Sequence, residues 1–447
     1  MNFQSPPGTR DFYPEQMALR RFIEETWRRV SLRHGFVEVD GPTFEFLDLY
    51  KVKSGDEIVA QLFHFASRGE DKKEFALRPE FTPTLARMIA AKANSLPRPI
   101  KWFSIPRCYR AERPQKGRLR EFIQWNVDML GGETPEARRQ FDLEVAALCL
   151  DGLREFGLTS GDVKLLWNDR MLVEELFKLA GVPAERFGFA FYLLDRIAKL
   201  TPAQRAGLYQ EHGVMERERG FFEKLAAGAD PLAPAFWEGL GGGADFGGLA
   251  AAIAGAQGQI DKTLGLMGLG GYAQYDASIV RGLAYYTGFV WEISDTGREN
   301  RAVAGGGRYD RLIEMFGGPA LPATGFGMGD VVLANLLEER GRLPKDVGRG
   351  AVPEVFVVNA LGTADTAWGL IGELRGAKMA VGMSYKATKN IGKLLQEASG
   401  SGAKVAVILA PAEWERGVVK VKNLATREER EVAAGEIATV VRRMMAT

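Results

Sequence analysis

The amino-acid sequence predicts a mixed α/β protein in two parts: an α+β core carrying a helical segment, then a smaller α/β domain. Three observations predict it. Two stretches of period-2 alternation, Cys108–Glu112 and Phe122–Met129, flank a basic loop, the pattern of paired antiparallel strands. Residues 170–265 are helical in periodicity and rich in Gly and Ala, with a loose loop over Gly241–Gly248. Beyond residue 351, strand-like runs alternate with helical ones, the order of a small domain with a largely parallel sheet. The implied boundaries are a core over 1–340, a linker over 341–351 and a second domain over 352–447.

In chain order, Leu19, Phe22, Ile23, Trp27, Val30 and Leu32 make residues 17–34 an amphipathic helix, followed by the strand-like Gly35–Val39 and by Pro42. Lys73–Ala76 alternate. Leu77-Arg78-Pro79-Glu80-Phe81-Thr82-Pro83 then reads as a strand end turning into a helix over Thr84–Ala93, with Thr82 placed to cap it. Pro114 and Gly117 make Arg113–Arg120 a loop between the paired strands. On the outgoing strand, Ile123, Trp125, Val127 and Met129 form one face, and Phe122, Gln124, Asn126 and Asp128 the other. An apolar face that continuous is half buried, so the polar face either meets water or lines a cavity where something polar binds. Residues 136–157 give another helix and Val163–Trp167 a strand.

Further on, Gly282 and Gly288 flank the pair Tyr285-Tyr286 ahead of a strand-like run to Ile293. Gly305-Gly306-Gly307 reads as a glycine-rich turn after an apolar strand, where backbone can approach a ligand closely. Gly325-Phe326-Gly327-Met328-Gly329-Asp330 follows. In the last domain strands begin at Glu354, Ala380 and Lys404, helices cover Thr363–Leu374 and Thr388–Ala398, and Gly417–Val421 pairs with Thr426–Val432.

Composition narrows the function classes. Of 447 residues, 46% are hydrophobic and 26% charged, ordinary for domains with ample cores. A net charge of +1 gives no global attraction to nucleic acid, so any RNA contact rests on local patches. Cys108 and Cys149 are the only cysteines, which excludes a disulfide framework and a Cys-based zinc site. His34, His64 and His212 lack metal-ligand spacing, so no side-chain cluster is expected to hold a metal. No Gly-x4-Gly-Lys-Ser/Thr loop occurs, which argues against a P-loop NTPase. The N-terminus has no basic-then-apolar signal, and no run approaches the ~18 apolar residues of a membrane span, so a cytoplasmic protein is expected. Two strands carrying Arg and Glu, joined by a loop rich in Arg and Lys, suit a triphosphate and the end of a nucleic acid.

That stretch, Arg110-Ala111-Glu112-Arg113-Pro114-Gln115-Lys116-Gly117-Arg118, resembles motif 2 of class II aminoacyl-tRNA synthetases in the form found in the histidyl-tRNA synthetase family. Three further blocks share the resemblance: Leu77–Pro83, Val280–Ile293 (peculiar to that family), and Ala302–Asp310 followed by Gly325–Asp330. Residues 17–42 resemble motif 1, 170–265 the family's helical insertion, and 352–447 its anticodon-binding domain. The resemblance implies a class II antiparallel sheet with flanking helices and a homodimer formed through motif 1. It implies ATP-dependent ligation of L-histidine to tRNA(His) through a histidyl-adenylate, with Mg2+ bound alongside ATP.

It also implies roles. Arg110 and Arg281 would face the α-phosphate from opposite sides as catalytic residues. Glu80 and Thr82 would take the amino group of histidine, Gln124 its backbone end, and Asp128, Tyr285 and Tyr286 the imidazole. Glu112, Arg113, Arg118, Phe122, Gly327 and Gly329 would join Arg110 in binding ATP, with Phe122 stacked on adenine. Gly305, Gly306 and Gly307 would form a pocket wall. Gln115, Lys116 and Arg120 would meet tRNA. The chain departs from the family pattern at Phe81, at Ala284 where an acid is usual, at Asp128 in place of Glu, and at Val332 in place of the motif 3 arginine. A rival of another class is a catalytically silent, histidine-sensing regulatory paralogue of histidine biosynthesis. Such a protein would lose the phosphate-binding arginines and the C-terminal domain, and this chain has both.

Overall fold

The computed structural model describes residues 3–54, 56–67, 72–115, 117–197, 200–240, 247–280, 286–297, 302–344 and 352–446. The chain divides into two units, Met1–Val347 and Gly348–Thr447.

The first unit begins with α1 (Pro14–Arg33), whose proline sits in the first turn, where no intrahelical donor is lost. Then come β1 (Val37–Glu38), β2 (Phe44–Phe46), α2 (Leu47–Ser54), β3 (His64–Ala66), β4 (Glu74–Leu77) and α3 (Thr82–Lys92). Strands β5 (Ile100–Ser104), β6 (Arg107–Tyr109) and β7 (Glu121–Leu130) lead to α4 (Pro135–Glu155), capped by the Thr134 hydroxyl, and to β8 (Val163–Asp169). Helices α5 (Arg170–Ala180), α6 (Phe187–Arg196), α7 (Pro202–Glu211), α8 (Glu216–Ala226) and α9 (Gly247–Leu266) fill the region read as helical. The chain returns through β9 (Ala273–Tyr275), β10 (Phe289–Asp295), β11 (Ala304–Arg308), α10 (Leu312–Met315), β12 (Ala323–Gly329) and α11 (Asp330–Glu339).

Among the described residues nine strands form one sheet, ordered β1-β5-β7-β12-β11-β10-β8-β9, with β6 paired to the start of β7. β1–β5 and β8–β9 are parallel and the other pairs antiparallel. One face packs on α1, α4 and α11. There Ile123, Trp125 and Val127 are buried with Trp27, Leu148 and Leu333, and the rings of Trp27 and Trp125 stack at 5.7 Å. The opposite face of β7 is left for polar residues, as its alternation predicts.

Two readings of this unit need correction. The helix after Pro79 starts at Thr82, with Phe81 at the cap position and no side-chain cap bond; the Thr82 side chain is buried instead. Gly305–Gly307 is no turn: the triplet lies inside β11, flat between β10 and β12.

The second unit runs β13 (Val355–Asn359), α12 (Asp365–Gly376), β14 (Val381–Met383), α13 (Ile391–Gly400), β15 (Val405–Leu409), α14 (Pro411–Glu415), β16 (Val418–Asn423), β17 (Glu429–Ala433) and α15 (Ile437–Met445). Its sheet order is β14-β13-β15-β16-β17. The first three strands are parallel, but β16 and β17 run antiparallel, so the sheet is mixed rather than largely parallel. The short α14 between β15 and β16 is too brief a connection for a parallel crossover. Among the described residues no helix is long and apolar enough to cross a membrane.

Candidate active site

A cavity of about 810 Å3 opens on the polar face of the large sheet. Its floor is β7 and β12. From β7 come Phe122, Gln124, Asn126 and Asp128, and from β12 Gly325, Gly327 and Gly329. Glu80 enters from the turn before α3 and Thr82 from its first residue, Arg110 and Arg118 from the two ends of the basic loop, and Glu292, Ala304 and Gly305 from β10 and β11. Tyr286 and Tyr309 line it as well.

The glycines on β12 make room for side chains on β7. A Cβ on Gly327 would collide with the Gln124 amide, and one on Gly325 would collide with the Asp128 carboxylate and lie 2.9 Å from the Tyr309 hydroxyl. That hydroxyl donates to Asp128, which is almost wholly buried. Asn126, between Gln124 and Asp128, is 3% exposed, and its Oδ1 is buried with no hydrogen-bond partner. Leaving such an oxygen unsatisfied costs about 1–3 kcal/mol.

Cations gather at the other end. The Arg110 guanidinium lies 4.8 Å from the Phe122 ring centroid, and its Nε donates to the Pro79 carbonyl at 3.3 Å. Arg118 pairs with Glu112 across the basic loop. Cys108, behind Arg110 and wholly buried, has its thiol pushed up to about 12 by burial, so it is no nucleophile. A strap from the N-terminal segment fastens the loop's root. The Gly8 carbonyl accepts from Arg120 N–H at 2.8 Å, and Arg10 donates to Asp330 at 2.7 Å. The other oxygen of Asp330 accepts from Ile123 N–H at 2.9 Å, inside β7. Behind β11, the Arg308 guanidinium is held 2.9 Å from Asp142, whose pKa burial raises to about 7 against the pull of Arg308.

Of the residues singled out in the sequence, Glu80, Thr82, Arg110, Arg118, Phe122, Gln124, Asp128, Tyr286, Gly305, Gly327 and Gly329 all line this cavity. Glu112 stands beside it through Arg118. Arg113 and Gln115 are exposed, and Arg120 turns back to the carbonyls of Glu112 and Pro7 rather than outward. Only one glycine of the triplet forms the wall. Alternation along β11 turns Gly306 to the far face, against Phe326, and Gly307 backs the Tyr286 ring. Arg281, Ala284, Tyr285 and Lys116 lie outside the described residues. Sequence reasoning assigned no role to Asn126, Glu292, Tyr309 or Asp195, which line the cavity too. The polar face of β7 carried a signal for Asn126; nothing local marks Asp195 on α6. Val331 and Val332 line the cavity at the position of the missing motif 3 arginine. Among the described residues no group of three or more His, Cys, Asp or Glu is set to hold a metal.

Comparison with known proteins adds an independent line. The histidyl-tRNA synthetase family profile matches residues 8–330, and the anticodon binding domain profile matches residues 354–444. The histidine--tRNA ligase of Opitutus terrae is 40% identical over 452 residues, covering 100% of this chain and 99% of that one. The chloroplastic/mitochondrial histidine--tRNA ligase of Arabidopsis thaliana is 35% identical, covering 97% and 85%. The crystal structure of histidyl-tRNA synthetase from Nostoc sp. PCC 7120 shares the fold with a TM-score of 0.73 at 22% identity, covering 99% of each chain.

Proposed function

The chain belongs to the histidyl-tRNA synthetase family, and from that premise we propose how its residues divide the work. The enzyme ligates L-histidine to tRNA(His) using ATP, by way of a histidyl-adenylate. The carboxylate of histidine attacks the α-phosphorus, pyrophosphate leaves in line, and the terminal ribose hydroxyl of tRNA then attacks the adenylate. No general acid or base is required in the first step. The site must hold the reactants and neutralise growing negative charge.

Arg110 bridges the histidine carboxylate and the α-phosphate, with Arg281 facing it. Arg118 and Arg113 take the β- and γ-phosphates, Glu112 holding Arg118 at the cavity mouth. Each such charge-assisted contact is worth about 1.5–3 kcal/mol. Phe122 stacks on adenine, and Val331 and Val332 give its other face an apolar contact where relatives use arginine. Mg2+ bound with ATP would supply further positive charge to the β- and γ-phosphates beside Arg113 and Arg118. Glu80, Thr82 and Gln124 grip the amino-acid end of histidine. Asp128, oriented by Tyr309, accepts from the imidazole, with Tyr286 and Tyr285 beside it. A site built on such pairs rejects a non-matching side chain by ~10⁴ without editing.

The same reading makes residues 1–340 the catalytic core and 352–447 the anticodon-binding domain. Gln115 and Lys116 are then the residues that meet tRNA, Arg120 bracing the loop's root instead, and the work is cytoplasmic. It also makes the enzyme a homodimer: Leu32 and Val37 in motif 1 are exposed, as are Phe44, Phe46 and Phe65 on β2 and β3.

The observation that carries the proposal is the convergence of Glu80, Thr82, Gln124 and Asp128 with Arg110 and Arg118 in one cavity. A histidine sensor needs only the first four. The test is exchange of labelled pyrophosphate into ATP, without tRNA, across all twenty amino acids. Exchange with histidine alone is expected. Histidine binding without exchange would instead favour the regulatory paralogue.

A further inference from the structure

We propose that Asn126 is a substrate-binding residue whose side-chain oxygen accepts a hydrogen bond from an N–H of the bound histidine. This rests on the histidine reading above and adds a residue to it. Asn126 lines the cavity at 3% exposure, with its Oδ1 buried and unpartnered. Its neighbours in register supply no partner. On β5 stands Ser104, whose own hydroxyl oxygen is buried and unpartnered, and on β12 stands Gly327, which has no side chain. Buried polar atoms in folded proteins are nearly always satisfied. An exception on a cavity floor marks a position whose partner is the ligand, held there at some cost in stability.

Position and chemistry agree. Alternate residues of a strand are ~6.7 Å apart and project from one face. A molecule gripped at one end by Gln124 and at the other by Asp128 therefore lies over Asn126. A neutral carbonyl oxygen there selects for a donor. Histidine presents two kinds, its α-ammonium and its imidazole N–H; its carboxylate and the phosphates of ATP present none.

Asn126→Leu keeps the volume and removes both polar atoms. In the ligand-free full-length protein its melting temperature should hold or rise, because an unsatisfied buried oxygen has gone. In pyrophosphate exchange its KM for histidine should rise about 10- to 100-fold while KM for ATP stays put. Asn126→Asp, which keeps an acceptor oxygen in place, should recover most of the loss. Competition by the deamino analogue of histidine locates the donor. If Asn126→Leu leaves that competition unchanged, the amide meets the ammonium; if competition weakens, it meets the imidazole, and either supports the proposal. A KM for histidine within about twofold of wild type in Asn126→Leu would overturn it. So would a lowered melting temperature with both KM values raised alike, the mark of a purely structural role. Absence of wild-type exchange with histidine overturns the histidine reading itself, and this proposal with it.

Discussion

Side chains in the cavity are set as much by what their neighbours lack as by what they carry. Gln124 and Asp128 occupy the space that Cβ atoms on Gly327 and Gly325 would need, whereas a Cβ on Gly329 would meet nothing within 4 Å. Two alanine substitutions on one strand therefore separate two uses of glycine. Gly327→Ala should displace the Gln124 amide and raise KM for histidine at least about tenfold, with little change in stability because the added methyl meets only the far end of a flexible side chain. Gly329→Ala should leave the melting temperature alone and move only KM for ATP, because its part is backbone approach to the nucleotide. Thermal melts with pyrophosphate-exchange kinetics check both. Equal effects of the two substitutions would mean that the collision with Gln124 is relieved at no cost.

Between elements, a tie from α1 to α4 turns on a histidine held between two carboxylates. His34, the C-cap of α1, sits 3.0 Å from Asp151 and 3.4 Å from Glu144, and Glu144 also pairs with Lys101 at 3.1 Å. Burial works against the charged imidazole, but hydrogen bonds to the two carboxylates outweigh it and raise the His34 pKa above its ordinary value. A group raised on folding stabilises fully below its unfolded pKa of about 6.5 and stops doing so as pH climbs through the folded value. The melting temperature of wild type minus that of His34→Gln should therefore be largest at mildly acid pH and shrink above neutrality. A difference that is flat with pH would remove the charge from the account.

The same elements show what the sequence can say. α1 and both faces of β7 are legible because helix and strand periods depend on nothing outside the segment, and Thr134 announces α4 by its cap. Gly305–Gly307 is misleading because consecutive glycines favour turns, and only pairing with β10 and β12 flattens them into a strand. Tyr309 and Glu292 reach the cavity through long-range pairing, and Asp195 through a helix more than sixty residues downstream of β7, so local pattern cannot place them. α15 carries a helical signal of its own: Ile437, Val441 and Met444 recur at helical spacing and are buried.

At the scale of the whole molecule, the proposed division between chemistry and RNA reading falls on two units with separate cores. Every residue lining the cavity lies within the first unit. The second has its own interior, with Val355, Val357, Ile371, Val405 and Val407 among its buried residues. The net charge of +1 gives the chain no general hold on RNA, so tRNA affinity must come from particular contacts, and an anticodon-binding domain is the natural source of a large share. A chain ended at Val347 should therefore keep histidine-dependent pyrophosphate exchange within a few-fold of the full chain. Its kcat/KM for charging tRNA should fall by two orders of magnitude or more, about 3 kcal/mol, mostly through KM for tRNA. Steady-state charging beside exchange, on one preparation of each chain, reads both. Loss of exchange in proportion to charging would show that the second unit supports the cavity itself, and the division of labour would have to be abandoned.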